Sequence, residues 1–205
     1  MFSVLDVETT GFNFKARDRI VEIGIVKIDE FGNFIDGFET LLNPEQDVGP
    51  ATNVHGITNE MVADAPRFSE IAFDLFEFLE NSYVAAHNAS FDFSFVNNEL
   101  IKIGLAPSIE GFCTLKIARK LLPKLPSRSL GYLVNYFGIT NNRPHSAYAD
   151  AFATAQLLGI FMNKYEYKTD QDNLKIIQNP LSSSACFSLP DRVPCRKLRR
   201  CAAEE

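Results

Sequence analysis

Leu5-Asp6-Val7-Glu8-Thr9-Thr10-Gly11 closes an apolar N-terminal run that begins at Phe2. Residues i and i+2 of a strand share a face, so Asp6 and Glu8 would project side by side near the end of a first strand. Burying a carboxylate is costly unless it is paired or bound to a metal. These two repel each other, and no Lys or Arg is close in sequence to neutralise them. A divalent cation is the simplest resolution. Taken alone, the motif fits equally well an edge strand whose acids face water.

Outward from this stretch, Arg19 to Asp29 is rich in Ile and Val and reads as a second strand. Phe31-Gly32-Asn33 gives a turn, and Phe34 to Asn43 a third strand ending at Pro44. A short Gly/Asn turn between two strands predicts an antiparallel hairpin. Glu45 to Ala65 reads mostly as loop, with Thr58 placed to cap a short helix before Pro66. Phe68, Ile71, Ala72, Leu75, Phe78 and Leu79 follow helical spacing, then Tyr83 to Ala86 forms a short strand. Ser90 is placed to cap a helix with Phe91, Phe95, Val96, Leu100 and Ile103 at helical intervals, and Gly104 terminates it. A last strand falls at Phe112-Cys113, followed by a helix to Leu122. Ser129 is placed to cap a helix with the face Leu130, Leu133, Val134 and Phe137, ended by Gly138, and a last helix runs from Ala147 to about Tyr165. A hairpin followed by alternating helices and strands predicts an α/β fold, a mixed sheet flanked by helices.

Length and composition bound the rest. The 205 residues suit one sizeable core and 46% are hydrophobic, so one domain over 1–167 is expected, with 168–205 as a flexible tail. The tail carries Ser182-Ser183-Ser184, scattered Pro and the basic run Arg196 to Arg200. No apolar run reaches membrane-spanning length, and no basic leader precedes the first strand, so no membrane and a cytoplasmic location are expected. The four cysteines form no close pair and read as reduced thiols. The net charge of −6 argues against a long nucleic-acid footprint built on Lys-phosphate contacts, but not against a small site where metal ions carry the positive charge.

Two more acidic residues are placed to join the first pair. Asp92, in His87-Asn88-Ala89-Ser90-Phe91-Asp92, falls in the first turn of a helix after a short strand. Ligand sites of open α/β sheets collect at strand C-terminal ends, where Asp6 and Glu8 would lie if the strands run parallel. Complementing the helix dipole is the plainer role for Asp92 alone. Asp150, in Pro144-His145-Ser146-Ala147-Tyr148-Ala149-Asp150-Ala151, shares a helix side with Ala147, Ala151 and Thr154. Such small residues let a helix approach a sheet closely. His145 stands just outside that helix, within reach of the acids. With His55 and His87 it makes the full complement of three histidines, each beside a Gly, an Asn or an acidic cluster.

These motifs resemble those of the DEDDh 3'-to-5' exonucleases of the ribonuclease H-like superfamily, in the branch of the proofreading epsilon subunits of bacterial DNA polymerase III. D-x-E-T-T-G stands at Asp6 to Gly11, H-N-A-x-F-D at His87 to Asp92, and H-x-A-x-x-D-A at His145 to Ala151. His55-Gly56-Ile57-Thr58 matches the family's H-G-I-T segment, and Thr114 to Pro123 and Leu125 to Leu130 also look familial. The similarity covers about residues 1 to 165.

The resemblance implies a ribonuclease H-like five-stranded mixed sheet and a metal-dependent 3'-5' DNA exonuclease that releases nucleoside monophosphates. Asp6, Glu8, Asp92 and Asp150 would hold two Mg²⁺ or Mn²⁺ ions, with Asp6 bridging both. His145 would act as general base. Thr9, Thr10 and Gly11 would hold the terminal sugar by their backbone. Phe12 and Phe91 are candidates for stacking on the last bases, or for core packing. His55 would contact the nucleotide or cap its own loop. Single-stranded or frayed 3' DNA ends are the expected substrate, delivered by a DNA polymerase if the chain proofreads. Two alternatives stay open: a 3'-5' exoribonuclease, and a non-catalytic adaptor for a polymerase or a single strand. In the tail, Phe187-Ser188-Leu189-Pro190 faintly resembles a sliding-clamp-binding peptide, with Cys186 where a Gln is usual; a disordered Ser/Pro segment is the simpler reading.

Overall fold

The structure, a computed structural model, describes residues 1–15, 17–106, 109–164 and 199–200. Strands β1 (Phe2–Thr9), β2 (Ile20–Ile28) and β3 (Phe34–Leu41) form an antiparallel meander, and β4 (Tyr83–Ala86) and β5 (Gly111–Cys113) run parallel to β1. The sheet order is β5-β4-β1-β2-β3, and the two-residue β6 (Arg199–Arg200) adds to β3 beside Phe38 and Glu39. The helices are α1 (Thr52–His55), α2 (Asn59–Val62), α3 (Phe68–Leu79), α4 (Ser90–Lys102), α5 (Thr114–Leu121), α6 (Leu130–Phe137) and α7 (Ala147–Lys164). This is the expected mixed α/β sheet. The expectations of a flexible tail and a clamp peptide fall outside the described residues, except at Arg199–Arg200.

Local chemistry explains the joints. In the β2–β3 turn, Asp29 Oδ1 accepts the backbone N–H groups of Phe31 and Asn33, both at 2.8 Å, and Gly32 takes φ +87°. Gly104 and Gly138 end α4 and α6 with left-handed backbone. Three expected caps work differently. Ser90 is the first residue of α4; left-handed Asn88 turns the chain ahead of it, and Ala89 holds the cap position without a side-chain bond. Thr58 and Ser129 occupy cap positions, but neither hydroxyl caps its helix.

Strand alternation divides the core in two. Leu5, Val7, Ile23, Ile25 and Phe38 pack against α3 and α4 through Leu75, Phe76, Phe95 and Leu100. Phe2, Val4, Val26 and Ile28 pack on the other face against α5, α6 and α7 through Ile117, Leu133, Leu158 and Phe161. Asp6 and Glu8 continue the row of Phe2 and Val4 and therefore emerge on the α7 side. Opposite Asp6 in the register stands Gly24. A Cβ there would meet the Tyr148 backbone nitrogen at 2.2 Å. Only a glycine lets the start of α7 lie this close to the sheet.

Among the described residues, no helix is long and apolar enough to cross a membrane. The only free cysteine among them is Cys113.

Candidate active site

Four carboxylates meet at the C-terminal ends of β1 and β4. Asp6 and Glu8 come from β1 and are half-buried. Asp92, 2% exposed, comes from the first turn of α4, and its Oδ1 accepts the Val7 N–H at 3.2 Å. Because β4 runs parallel to β1, the helix it feeds starts at this same sheet end. Asp150 comes from the first turn of α7, set against β2 at Gly24. Its Oδ1 accepts Asn141 Nδ2 at 2.6 Å and its Oδ2 accepts the His145 backbone N–H at 3.1 Å. Ligand-capable atoms of Glu8, Asp150 and His145 all lie within 4.8 Å of one another.

The electrostatics are those of an uncompensated cluster. Among the described residues, no Lys or Arg forms an ion pair with any of the four acids. Burial first, then Asp92, Asp150, Glu8 and Glu22, push the Asp6 carboxyl well above the usual carboxylate range. Burial and the neighbouring acids Asp150, Glu22 and Asp92 push Glu8 up to about 8. Asp92 rises to about 7 through burial, which outweighs the opposing Val7 N–H bond. Asp150 is also raised by burial, against the pull of Asn141 and His145. Such a cluster cannot hold all its charge at neutral pH without a cation. Hard oxygen donors in this number suit Mg²⁺, Mn²⁺ or Ca²⁺, so the residues fit a divalent metal.

The three histidines divide sharply. His145 is exposed at φ +64°, a left-handed backbone that is strained for a side chain bearing a Cβ, and its ring stands among the acids. His87 has both ring nitrogens engaged, Nδ1 with Thr114 Oγ1 at 2.9 Å and Nε2 with the Arg128 carbonyl at 2.9 Å. A carbonyl only accepts, so Nε2 carries the proton. His87 thus ties the start of α4 to α5 and to the 128 loop. His55 likewise donates from Nε2 to the Thr9 carbonyl at 3.3 Å and accepts the Ile57 N–H at Nδ1 at 3.1 Å. It caps its own loop and braces the end of β1.

The other expected site residues surround the acids. The Thr9 hydroxyl donates to the Gly11 carbonyl at 2.6 Å. The Thr10 hydroxyl accepts from the Arg19 backbone N–H at 3.0 Å and from Gln46 Nε2 at 2.9 Å. Gly11 lies where a Cβ would strike Asp18 Oδ2 at 2.5 Å. Phe12 is 87% exposed, with its ring 6.2 Å from that of Phe91, which packs on Phe95 at 4.9 Å. Phe91 is therefore a core-supported platform, and Phe12 projects into solvent.

Sequence reasoning missed Glu22, Gly24 and Asn141. Glu22 is 7% exposed and stands opposite Glu8 in the register. Its Oε2 accepts the Ala147 N–H at 2.7 Å, which pins the first residue of α7 to the sheet. A lone Glu inside the run Ile20 to Ile28 was the available signal. A cleft of about 650 Å³ opens beside these groups, lined by Glu22, Thr40, His55, Met61, Arg143 and His145 among others.

Fold and site together define a class, α/β proteins of ribonuclease H-like architecture with an acidic, metal-competent cluster at one end of the sheet. The chain belongs to the exonuclease family: the RNase_T family model matches residues 3–158. That family generally uses divalent metal ions. The chain is 33% identical over 184 residues to a PolC-type DNA polymerase III of Clostridium perfringens, covering 89% of this chain and 13% of that protein. It is 39% identical over 158 residues to the PolC-type enzyme of Thermotoga petrophila, covering 76% of this chain and 11% of that protein. The chain thus spans a small fraction of these curated relatives. Among solved structures, exonuclease X in complex with 5' overhanging duplex DNA superposes with TM-score 0.68 at 30% identity, over 83% of this chain and 96% of that one. E. coli exonuclease I in complex with a dA16 oligonucleotide gives TM-score 0.72 at 21% identity, over 80% of this chain and 41% of that one, a likeness of fold.

Proposed function

We propose that this chain is a divalent-metal-dependent 3'-5' exonuclease that removes nucleoside 5'-monophosphates from single-stranded or frayed DNA ends. The observation that carries the reading is the convergence of Asp6, Glu8, Asp92 and Asp150 with the exposed His145 in an exonuclease-family fold. Two Mg²⁺ or Mn²⁺ ions held by the four acids would neutralise the scissile phosphate and the charge developing on the attacking and leaving oxygens. His145, free of backbone constraints on its ring, takes a proton from the attacking water. The water oxygen bonds to phosphorus as the bond to the 3' oxygen of the preceding nucleotide breaks, and that oxygen takes a proton from solvent.

Other residues position the strand end. The Thr9–Gly11 backbone, braced by His55 and tied to Arg19 through the Thr10 N–H, would form a rigid wall beside the terminal sugar. Phe91, with Phe12 beside it, offers an aromatic surface for the last base. The likeness to PolC-type DNA polymerase III supports a setting beside a DNA polymerase, whose product the chain would proofread.

The test is degradation of 5'-labelled single-stranded DNA and of matched RNA with Mg²⁺, Mn²⁺ or EDTA. A metal-dependent ladder shortening from the 3' end of DNA, absent in Asp6→Asn, is expected. Faster loss of RNA would replace this reading with an exoribonuclease. No cleavage of either by the folded protein would sink the catalytic reading.

A further inference from the structure

On a chain of net charge −6, the stretch from Gly111 to Ala149 is an anomaly. It contains Lys116, Arg119, Lys120, Lys124, Arg128 and Arg143, and no Asp or Glu. Lys116, Arg119 and Lys120 fall at i, i+3 and i+4 of α5, so they share one face. All three are exposed, whereas Thr114, Ile117 and Ala118 on the opposite side are buried against the sheet. Lys124, in the loop that follows, is exposed as well.

The place of α5 in the fold gives this charge a purpose. Strands β4 and β5 are parallel and in register to their last residues, Ala86 beside Cys113. The starts of α4 and α5 therefore lie side by side at the sheet end that carries the acids. His87 locks them there through Thr114 and Arg128. A cleft of about 480 Å³ runs between the two helices, lined by Ala89, Ser90, Phe93, Cys113, Lys116 and Lys120 among others. Its Ala89 and Ser90 wall is within three residues of Asp92 and adjoins Phe91. The cleft on the other side of the acids is lined by Glu22, Glu39 and Asp64 as well as Arg143. A polyanion leaving the carboxylates meets repulsion on that side and attraction on this one.

We infer that the cleft between α4 and α5, with Lys116 and Lys120 on its wall and Arg119 beside it, is the track for the single-stranded DNA upstream of the terminal nucleotide. This rests on the exonuclease reading above and adds the path of the strand. The cations contact backbone phosphates, so the track favours length over sequence. It allows a chain that is acidic overall to hold a polyanion through a local cationic strip.

Fluorescence anisotropy in EDTA, with a 5'-fluorescein oligo-dT of about 20 nucleotides and one of about 4, reads binding without turnover; each single-strand phosphate that no longer meets a cation lowers the salt slope by about 0.7. The double substitution Lys116→Ala and Lys120→Ala is expected to weaken binding of the long oligonucleotide several-fold and to lower its slope by about 1.4. Binding and Mg²⁺-dependent cleavage of the short one stay at wild-type level, and Lys116→Arg with Lys120→Arg restores the long one. Unchanged affinity and slope on the long oligonucleotide would overturn the track while leaving the exonuclease reading intact. Loss of long-strand binding in a protein whose wild type cleaves nothing would refute the exonuclease, and with it the track as a path to a catalytic site, leaving only a single-strand-binding cleft.

Discussion

Two groups of charge lie within this small fold, and they are built on opposite principles. Glu99, on α4 and 1% exposed, receives Arg19 in a two-pronged bond, Nε to Oε1 at 2.6 Å and Nη2 to Oε2 at 2.8 Å. Lys102 adds a third bond at 3.4 Å. At the end of β1, four carboxylates face each other with no ion-paired Lys or Arg among the described residues. The first group is closed: its charge is consumed in tying the start of β2 to α4. The second is open: no cation among the described residues relieves its repulsion. A paired buried charge holds the fold, whereas an unpaired cluster stores affinity for a cation.

The largest expected effect breaks the open cluster. Asp6→Asn should lower turnover by roughly a thousandfold or more, as loss of a central electrostatic group does. The same variant should melt higher than wild type in EDTA at alkaline pH, because one source of repulsion is gone. A lower melting temperature there would show that Asp6 is structurally satisfied and the cluster is not strained.

Breaking the closed pair should have the opposite signature. Arg19→Ala leaves Glu99 without its main partner and should destabilise the fold by about 3–5 kcal/mol in urea unfolding. A double substitution to apolar residues of similar volume should recover much of this. A loss below about 1 kcal/mol for Arg19→Ala would place the pair with weak surface ion pairs.

Glu22 stands between the two groups in character. It adds charge to the cluster, yet it is bound to the Ala147 N–H. Glu22→Ala should cost about 10–100-fold in activity or metal affinity, as loss of an outer support to a metal site does. Glu22→Gln keeps an acceptor for that N–H and should recover most of the loss. Equal defects in both variants would mean that the charge, and not the pinning of α7, is what counts.

The smallest effect is a pH dependence that contrasts the groups directly. Glu8 at about 8 and Asp92 at about 7 bind protons more tightly in the folded than in the unfolded chain. The folded state therefore holds more protons between their ordinary values and these raised ones, so metal-free stability falls as pH rises through that window. A divalent cation should offset the fall, raising the melting temperature more at pH 8 than at pH 6, the rise growing with cation concentration. A melting temperature in EDTA that is flat or rising with pH would contradict the raised values.

Much of this was readable in the chain. The alternation of Phe2 to Glu8, the Gly-Asn turn at Gly32-Asn33 and the helical spacing around Leu75 and Phe95 are local patterns, and local patterns survive without knowledge of the fold. The alanines around Asp150 also told correctly that α7 packs closely there. Their partner, Gly24, could not be found, because a glycine inside a strand looks the same whether or not a helix rests on it. The sequence set His145 within reach of the acids and left His55 between contacting a nucleotide and capping its own loop. Only the folded chain shows that His55 spends both ring nitrogens on Thr9 and Ile57, while His145 stands open among the acids.

By itself, then, the sequence determined the strands and longer helices, the faces of each strand and the row on which Asp6 and Glu8 lie, since spacing along the backbone governs which side chains share a side, whereas the short helix Thr52–His55 reads as loop. The tertiary structure alone decided which charges are paired and which are left open. Arg19 and Glu99 are 80 residues apart, and Glu22 and Ala147 are 125 apart. Whether a buried charge finds a partner depends on what the folding of distant segments brings within a few ångströms, and no local pattern encodes that distance.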